Sequence, residues 1–159
     1  MEQENKLLLR NARYDDSLLL LGWRNDAITR AMSCQTSYVA ESEHNRWFNN
    51  AMRRDDIHIF IGEENGLAIG TARINIAPNN SGYISLCIAP AMRHRGCGQR
   101  LLHALTAYAH DTLAIPSLYA LIRINNNPSI TCFEKAGFKH IGYEGEFLLY
   151  YINMDNKIL

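Results

Sequence analysis

Apolar and polar residues alternate in several short stretches of the chain, a spacing of two that is typical of half-buried β-strands. Turn-forming residues separate these stretches, for example residues 62–66 between the second and the third. We therefore predict strands at residues 7–11, 57–61, 67–76, 83–88 and 118–122, and a final pair within residues 138–154. The second and third strands form a predicted hairpin.

Other stretches repeat their apolar residues every three or four positions, which indicates amphipathic helices. The longest of these helices is predicted from about residue 98 to 112. Shorter ones are predicted at residues 18–23, at residues 42–52 with Ser42 as the N-cap, and at residues 129–135 before Gly137. The segment after Asp26 shows neither spacing clearly. The predicted order is β-α-α-β-β-β-α-β-α-β-β, a mixed α/β fold.

Composition agrees with a single globular domain spanning residues 1–159. The chain has 159 residues, of which 47% are hydrophobic and 20% charged, and this composition excludes a fibre or a disordered tail. Sixteen basic residues balance sixteen acidic ones. A net charge of zero argues against partners bound mainly through charge, so we expect neither a nucleic-acid nor a membrane partner.

The cysteines are isolated from one another, at Cys34, Cys87, Cys97 and Cys132, with no zinc-ligand spacing. We therefore expect free thiols, no bound metal and a reducing, cytoplasmic location. The first ten residues lack the order of a secretory signal, and no apolar run is long enough to span a bilayer.

The segment with the clearest chemistry lies between a predicted strand and the longest predicted helix. Its residues are Arg93, His94, Arg95, Gly96, Cys97 and Gly98. Two glycines at this spacing let backbone N–H groups turn toward one anion at a helix N-terminus. The segment lacks the Gly-Lys-Ser/Thr of a Walker loop and the third glycine of a dinucleotide fingerprint. It indicates a different nucleotide pyrophosphate, unless the glycines only turn the chain and the arginines are solvated.

Two motifs resemble those of the GNAT N-acetyltransferase superfamily. The R-x-x-G-x-G of residues 93–98, directly after a strand, resembles its acetyl-CoA motif. The N-N-P-S-I-T-C-F-E-K-A-G-F of residues 126–138 resembles its N-x-x-x-I-x-x-Y/F-E-K-x-G-F segment. The order of elements over residues 7–154 is also similar. The resemblance implies a twisted, mostly antiparallel sheet with a V-shaped splay, flanked by helices, and direct acetyl transfer from acetyl-CoA to a primary amine without a metal.

The same resemblance implies where acetyl-CoA binds. Backbone amides of residues 93–98 would hold the pyrophosphate, and Leu86, Cys87 and Ile88 would pair with the pantetheine arm like an added strand. Asn126 would bind near that arm, and Phe133 would line the thioester end. An N–H near Cys87 or Ile88 would meet the developing oxyanion. Members of the superfamily often pair their sheet edges across a dimer, so the resemblance also includes a homodimer among the expected assemblies.

The usual general base cannot be carried over from the superfamily. Many members place a glutamate on the central strand, where this chain has Gly82 or Tyr83. His44 is our first candidate because histidine titrates near neutral pH. Tyr83, Ser85 and His58 are further candidates. For each of these residues, a capping or solvent-facing role is the alternative.

The usual general acid is also absent. The superfamily commonly has a tyrosine where this chain has Phe133, which carries no hydroxyl. Either the thiolate leaves without assistance, or a proton comes from Tyr143, Tyr150 or Cys132. A thiol pKa of roughly 8.5 allows unassisted departure.

The N-terminal helices are expected to select the acceptor. W-R-N-D at residues 23–26 and H-x-x-W-F at residues 44–48 resemble bacterial enzymes that acetylate nucleotide-linked amino sugars. Arg24 would pair with phosphate and Trp47 would stack on a base or sugar, unless the aromatic residues only pack in the core. A protein N-terminus, as in ribosomal-protein acetyltransferases, and a non-catalytic acyl-CoA-binding module are the alternatives. Polyamines and aminoglycosides fit less well, because these segments carry no concentrated acidic patch.

Overall fold

The computed structural model describes residues 6–155, which form a seven-stranded sheet with helices on both faces. The strands are β1 (Leu8–Asn11), β2 (Ile57–Glu64), β3 (Leu67–Ile76), β4 (Gly82–Ile88), β5 (Ser117–Arg123), β6 (Lys139–Glu144) and β7 (Phe147–Asn153). The helices are α1 (Ser17–Asn25), α2 (Ala27–Met32), α3 (Glu41–Met52), α4 (Cys97–Asp111) and α5 (Asn127–Lys135). The predicted mixed α/β fold is confirmed.

The sheet has the order β1-β2-β3-β4-β5-β7-β6, and β4 and β5 are its parallel pair. All other neighbouring strands are antiparallel. No helix among residues 6–155 is long and apolar enough to cross a membrane. The single domain and the homodimer stay predictions.

Two details of the N-terminal helices differ from the sequence-based expectation. The segment after Asp26 forms α2, because the Asp26 carboxylate accepts a hydrogen bond from the Thr29 backbone N–H at 3.1 Å and caps the helix. The predicted Ser42 cap is wrong. Helix α3 begins one residue earlier, at Glu41, with Ala40 as the N-cap and no capping side chain.

The predicted turn at residues 62–66 is too long, because β2 continues to Glu64 and the turn contains only Asn65 and Gly66. Gly62 is a buried strand residue at a bulge. A Cβ atom there would lie 2.8 Å from Leu101 Cδ1, so the glycine makes room for α4 rather than turning the chain.

The two faces of the sheet carry separate cores, because successive strand residues point to opposite sides. On one face, Phe60, Ile74 and Ile84 pack with helix α4 and the residues around α5. On the other face, Ile59 and Ile61 pack with Trp23, Phe48 and Ala51 of α1 and α3. The sheet therefore separates an α4/α5 side from an α1/α3 side.

Strands β4 and β5 separate soon after they meet. Their register contains only Gly82 with Leu118 and Tyr83 with Tyr119. On its other edge, β4 remains paired with β3 along its whole length, from Gly82 to Ile88. A V-shaped gap therefore opens between the carboxyl ends of β4 and β5, which matches the expected splay.

Gly70 allows β3 to pack closely against β4, on the edge of β4 that faces away from the gap. A Cβ atom on Gly70 would lie 2.6 Å from the Cys87 carbonyl oxygen and 3.2 Å from Ile88 Cα, both backbone atoms. We expect Gly70→Ala to lower the free energy of unfolding by roughly 1–3 kcal/mol, because β3 and β4 must move apart. Urea denaturation measures this change.

Gly22 provides the matched control for Gly70. It lies in α1, and a Cβ atom on it would have no neighbouring atom within 4 Å. Gly22→Ala should therefore raise the free energy of unfolding by about 0.5–1 kcal/mol, because alanine favours a helix more than glycine does. A Gly70→Ala protein as stable as the wild type would contradict the close approach of β3 and β4.

Candidate active site

The open edge of β4 forms one wall of the gap. The Ala89 N–H donates to the Ile69 carbonyl at 2.8 Å, so the polar groups of Ala89 face β3. Because these groups alternate along an antiparallel strand, the backbone groups of Leu86 and Ile88 face the gap and those of Cys87 face β3. Of the N–H groups expected near the oxyanion, the geometry favours that of Ile88.

The glycine-rich segment closes the far end of this gap, where β4 leads into α4. His94 and Gly96 both have left-handed backbone conformations, with φ of 62° and 75°. Gly96 is the N-cap of α4, and no side chain caps that helix. The N–H groups of the first turn, at Cys97 and Gly98, are therefore available to an anion, and the helix dipole favours negative charge there.

The arginines of this segment are not all solvated, which was the alternative interpretation of the sequence. The Arg93 guanidinium contacts the Asp26 carboxylate and donates to Thr29 Oγ1 at 3.0 Å. That contact holds the pKa of Asp26 below its usual range. Arg93 thus ties α2 to the turn. Residues 93–100 contain three arginines, Arg93, Arg95 and Arg100, and this pairing neutralises the first of them.

Arg100 is neutralised in the same way. Its guanidinium donates to the buried Glu64 carboxylate at 2.9–3.2 Å and to the Arg95 carbonyl at 3.0 Å. The side chains of His94 and Arg95 remain exposed at the turn. The segment offers an anion its backbone N–H groups and these two side chains rather than three free guanidinium groups.

Helix α5 flanks the gap on the α4/α5 side, which we call the cofactor side because the segment expected to bind the cofactor leads into α4. Asn126 caps this helix, with its Oδ1 accepting from the Ser129 N–H at 3.4 Å, so its amide nitrogen is the group left for a ligand. A Cβ atom on Gly98 would lie 3.6 Å from Cys132 Sγ and 3.8 Å from Ile88 Cγ1. The start of α4, the middle of α5 and the end of β4 therefore meet at one point.

Phe133, expected at the thioester end, is buried and packs edge-on against Phe138 with ring centroids 4.9 Å apart. Among the candidate acids, Tyr150 donates to Glu134 Oε1 at 2.9 Å, and burial raises its pKa to about 12. Burial also raises the pKa of the Cys132 thiol. Tyr143 is exposed on β6.

His44 is held between α1 and α3. Its Nε2 lies 2.9 Å from the Ser17 carbonyl oxygen, its ring stacks on Phe48 at 5.8 Å, and the residue is 4% exposed. Burial lowers its pKa. This placement makes His44 a packing residue that positions α3 rather than a base open to the gap.

The other candidate bases lie on different faces of the sheet. Tyr83 and Ser85 are exposed on the α1/α3 side, and Tyr83 stacks on Tyr119 at 5.1 Å. The Ser85 hydroxyl makes no hydrogen bond to another residue of 6–155. His58 lies beside Phe60 on the opposite face. Because the N-terminal helices are expected to select the acceptor, we call the α1/α3 side of the gap the acceptor side. Tyr83 and Ser85 lie on this side, and His58 does not.

Arg73 lies among the acceptor-side candidates, and sequence reasoning missed it. Its register partner on β4 is Ser85, and its guanidinium lies 5.3 Å from the centre of the Trp47 ring. Arg24 lies close enough to lower the pKa of Arg73 through charge repulsion, after burial, which is the larger cause. The only signal was an arginine within an apolar strand, which is also typical of an ordinary outward-facing residue.

Only one of the two terminal guanidinium nitrogens of Arg24 has a hydrogen-bond partner among residues 6–155. Its Nη2 donates to the Gln35 carbonyl at 2.7 Å, and its Nη1 is buried without a partner among residues 6–155. The Trp47 side chain is 41% exposed. The residues singled out for the acceptor, Arg24 and Trp47, are thus brought together around Arg73.

No group of three or more His, Cys, Asp or Glu side chains within residues 6–155 is arranged to hold a metal ion.

The burial of His44 predicts a pH-dependent stability. The unfolded chain takes up a proton as the pH falls through about 6.5, and the folded chain resists it because its His44 pKa is lowered. We expect the free energy of unfolding to fall between about pH 7.5 and about pH 5.5, and to fall less in His44→Gln. Urea denaturation at both pH values measures the difference. The exposed His103 gives the control His103→Gln. An equal fall in wild type and His44→Gln would contradict the assignment.

Comparison with known proteins identifies the family. A model of the acetyltransferase (GNAT) domain matches residues 6–139. The chain is 29% identical over 142 residues to the putative phosphinothricin acetyltransferase YwnH of Bacillus subtilis, covering 86% of both proteins. The structure resembles the spermidine N-acetyltransferase of Vibrio cholerae in complex with CoA and spermine, with a TM-score of 0.85, 18% identity, and 94% of this chain and 96% of that one covered. It also resembles an N-acetyltransferase of Staphylococcus aureus Mu50, with a TM-score of 0.76 and 25% identity. That match covers 93% of this chain and 98% of the other. The chain therefore belongs to the GNAT family of acetyl-CoA-dependent N-acetyltransferases.

Proposed function

We propose that this N-acetyltransferase acetylates the amino group of a nucleotide-linked sugar. The observation that carries the proposal is the guanidinium of Arg24, whose Nη1 is buried without a partner among residues 6–155, on the acceptor side. A phosphate oxygen would satisfy that donor. The exposed face of Trp47 supports the proposal, because an aromatic ring can stack on a base or a sugar.

In this proposal acetyl-CoA occupies the gap between β4 and β5. The backbone N–H groups of residues 93–98 hold its pyrophosphate, and the backbone of Leu86 and Ile88 pairs with the pantetheine arm as an added strand would. The amide nitrogen of Asn126 binds beside that arm. Acetyl-CoA supplies the activated acetyl group. The chain supplies the alignment of that group with the amine.

The chain's own groups contribute little acid–base chemistry. A gap-facing N–H of β4 that the pantetheine arm leaves free donates to the acetyl oxygen as negative charge develops there. Ser85 and Tyr83 hydrogen-bond the water that accepts the amine proton, because each hydroxyl offers both a donor and an acceptor. The CoA thiolate leaves without a proton donor, because a thiol pKa of roughly 8.5 makes it a tolerable leaving group.

A second acceptor class is supported by the similarity to the putative phosphinothricin acetyltransferase, which covers 86% of both proteins. Phosphinothricin carries a carboxylate and a phosphinate beside its amine, so it also brings anions to Arg24. The spermidine enzymes share the fold at 18% identity. A polyamine fits this chain poorly, because Arg24 and Arg73 are both cationic.

Thiol release from acetyl-CoA tests the acceptor. We expect the highest kcat/KM with a nucleotide-linked amino sugar that has a free amine, compared with phosphinothricin, a peptide with a free N-terminus and spermidine. Each rate is corrected for hydrolysis. Release with the peptide alone would replace the proposal by protein N-terminal acetylation. Binding of acetyl-CoA without release from any acceptor would favour a non-catalytic module or an acceptor outside this set.

Gly96 tests the placement of the pyrophosphate. Its φ of 75° disfavours a side chain, and a Cβ atom would lie 3.1 Å from Arg100 Nη1. Gly96→Val should raise the KM for acetyl-CoA about tenfold or more, because the N–H groups around it lose their convergence. Steady-state kinetics measure the change.

Gly66→Ala is the control for Gly96→Val, because Gly66 also has a left-handed φ, of 76°, but lies in the β2–β3 turn. It should lower stability and leave the KM for acetyl-CoA unchanged. An unchanged KM in Gly96→Val would remove the pyrophosphate from this turn.

A further inference from the structure

We propose that Arg73 and Arg24 form one anion-binding subsite, and that the acceptor carries a phosphate, phosphinate or carboxylate group which this subsite holds. The inference rests on the proposed acetylation of an amine, and it adds Arg73 as the residue that selects anionic acceptors. Nucleotide-linked phosphates and a phosphinate amino acid both present an anion of this kind.

Arg73 differs from four other arginines of the sheet and its neighbouring elements. Arg10, Arg93, Arg100 and Arg123 each pair with a carboxylate. Within residues 6–155, Arg73 forms neither an ion pair nor a hydrogen bond, and its contact is the Trp47 ring. Its five N–H donors are therefore available to a ligand.

Burial makes this arrangement costly in the free protein. It lowers the pKa of Arg73, but a guanidinium stays charged at neutral pH. Arg73 is half-buried, and a charge partly withdrawn from water without a partner destabilises the folded state. An anion bound to Arg73 would offset this cost.

Arg24 adds a second cation on the same side of the sheet, because it lies on α1, which packs against β4, and Arg73 is paired with β4 from β3. Its charge also lowers the pKa of Arg73, so the two guanidinium groups repel each other. The buried Nη1 of Arg24 lacks a partner among residues 6–155. Two like charges that disfavour each other, and that both have free donors, are a typical arrangement for an anion between them.

The subsite adjoins the expected reaction centre. Arg73 is directly opposite Ser85 in the β3–β4 register, and directly paired side chains lie about 4.5–5.5 Å apart at Cβ. Arg24 lies close enough to Cys87 for its charge to lower the pKa of that thiol, although burial raises it more. An anion held here would place the rest of the acceptor along β4, beside the end of the gap.

The carboxylate closest to Arg24 along the sequence, that of Asp26, is already paired. Asp26 pairs with Arg93, and no carboxylate among residues 6–155 pairs with Arg24 or Arg73. A cationic acceptor such as spermidine would meet two positive charges without a compensating acid. The subsite therefore selects against polyamines as well as for anions.

Binding of inorganic pyrophosphate to the CoA-saturated enzyme tests the subsite without a known acceptor, because CoA then fills the pyrophosphate turn. We expect calorimetric binding to wild type, weakened about tenfold or more in Arg73→Gln and in Arg24→Gln, and weakened less in Arg73→Lys. The control Arg54→Gln removes an exposed arginine paired with Asp56 and should bind as wild type does.

Thermal stability separates a ligand-binding role from a structural one. If Arg73 is an anion-binding residue, Arg73→Gln melts at the same temperature as wild type or at a higher one. Pyrophosphate then raises the melting temperature of Arg73→Gln less than that of wild type. If Arg73 only supports Trp47, Arg73→Gln melts lower and binds pyrophosphate normally, which would overturn the inference. Absence of pyrophosphate binding to the wild-type CoA complex would also overturn it.

Acceptor kinetics distinguish this inference from the proposed function. A rise of about tenfold or more in the acceptor KM of Arg73→Gln, with kcat and the KM for acetyl-CoA little changed, supports the subsite. If that acceptor is phosphinothricin and the sugar nucleotide is inert, the proposed function fails and the subsite stands. If the sugar nucleotide is acetylated with the same KM by Arg73→Gln, the proposed function stands and the subsite fails. Efficient acetylation of spermidine contradicts both.

Discussion

The pairing of β4 with β5 stops after two residue pairs, and the rest of the site depends on that interruption. Gly82 allows the two strands to approach, since a Cβ atom there would lie 2.7 Å from Leu118 Cδ2. Beyond Tyr83 the strands diverge, and β4 stays attached only to β3. An interior strand with one open edge has backbone donors and acceptors that need partners, and an extended ligand arm can provide them.

Contacts at the carboxyl end of β4 hold this open edge in place. At Gly70 the backbone of β3 lies so close to Cys87 and Ile88 that no side chain fits between them. Past the end of β4, the Arg93 side chain ties the following turn to Asp26 at the start of α2. The gap is therefore fixed on this side by backbone packing and by an ion pair.

Charge is handled differently on the two sides of the gap. On the cofactor side, Arg93 and Arg100 are paired with acids, and backbone N–H groups at the start of α4 are left to meet an anion. On the acceptor side, Arg24 and Arg73 keep donors without a partner among residues 6–155. A neutral chain can in this way contain two places suited to anions, because its acids neutralise only some of its arginines.

The elements and the glycine-rich turn before α4 could be predicted because their signals are local. Spacings of two and of three to four residues identified the strands and helices, and Gly96 with Gly98 marked the start of α4. Gly62 was misassigned because its role depends on Leu101, far along the chain. Likewise, nothing in the residues near His44 shows that its ring would be buried against the carbonyl of Ser17.

The charged residues of the site were the least predictable part for the same reason. Arg93 pairs with Asp26, 67 positions earlier in the sequence. Arg73 occupies a strand face that alternation assigns to solvent, and only the packing of α3 brings Trp47 over it. Which arginines are neutralised and which keep free donors depends on tertiary contacts, whereas the motif shows only that arginines are present.

Hydrogen exchange of the β4 amides, with and without CoA, tests the central claim most directly. If the cofactor occupies the gap as an added strand, the N–H groups of Leu86 and Ile88 become protected when CoA binds. The amides of β7, which is already paired with β5 and β6, keep their exchange rates. Protection of Leu86 and Ile88 that does not change with saturating CoA would contradict the account.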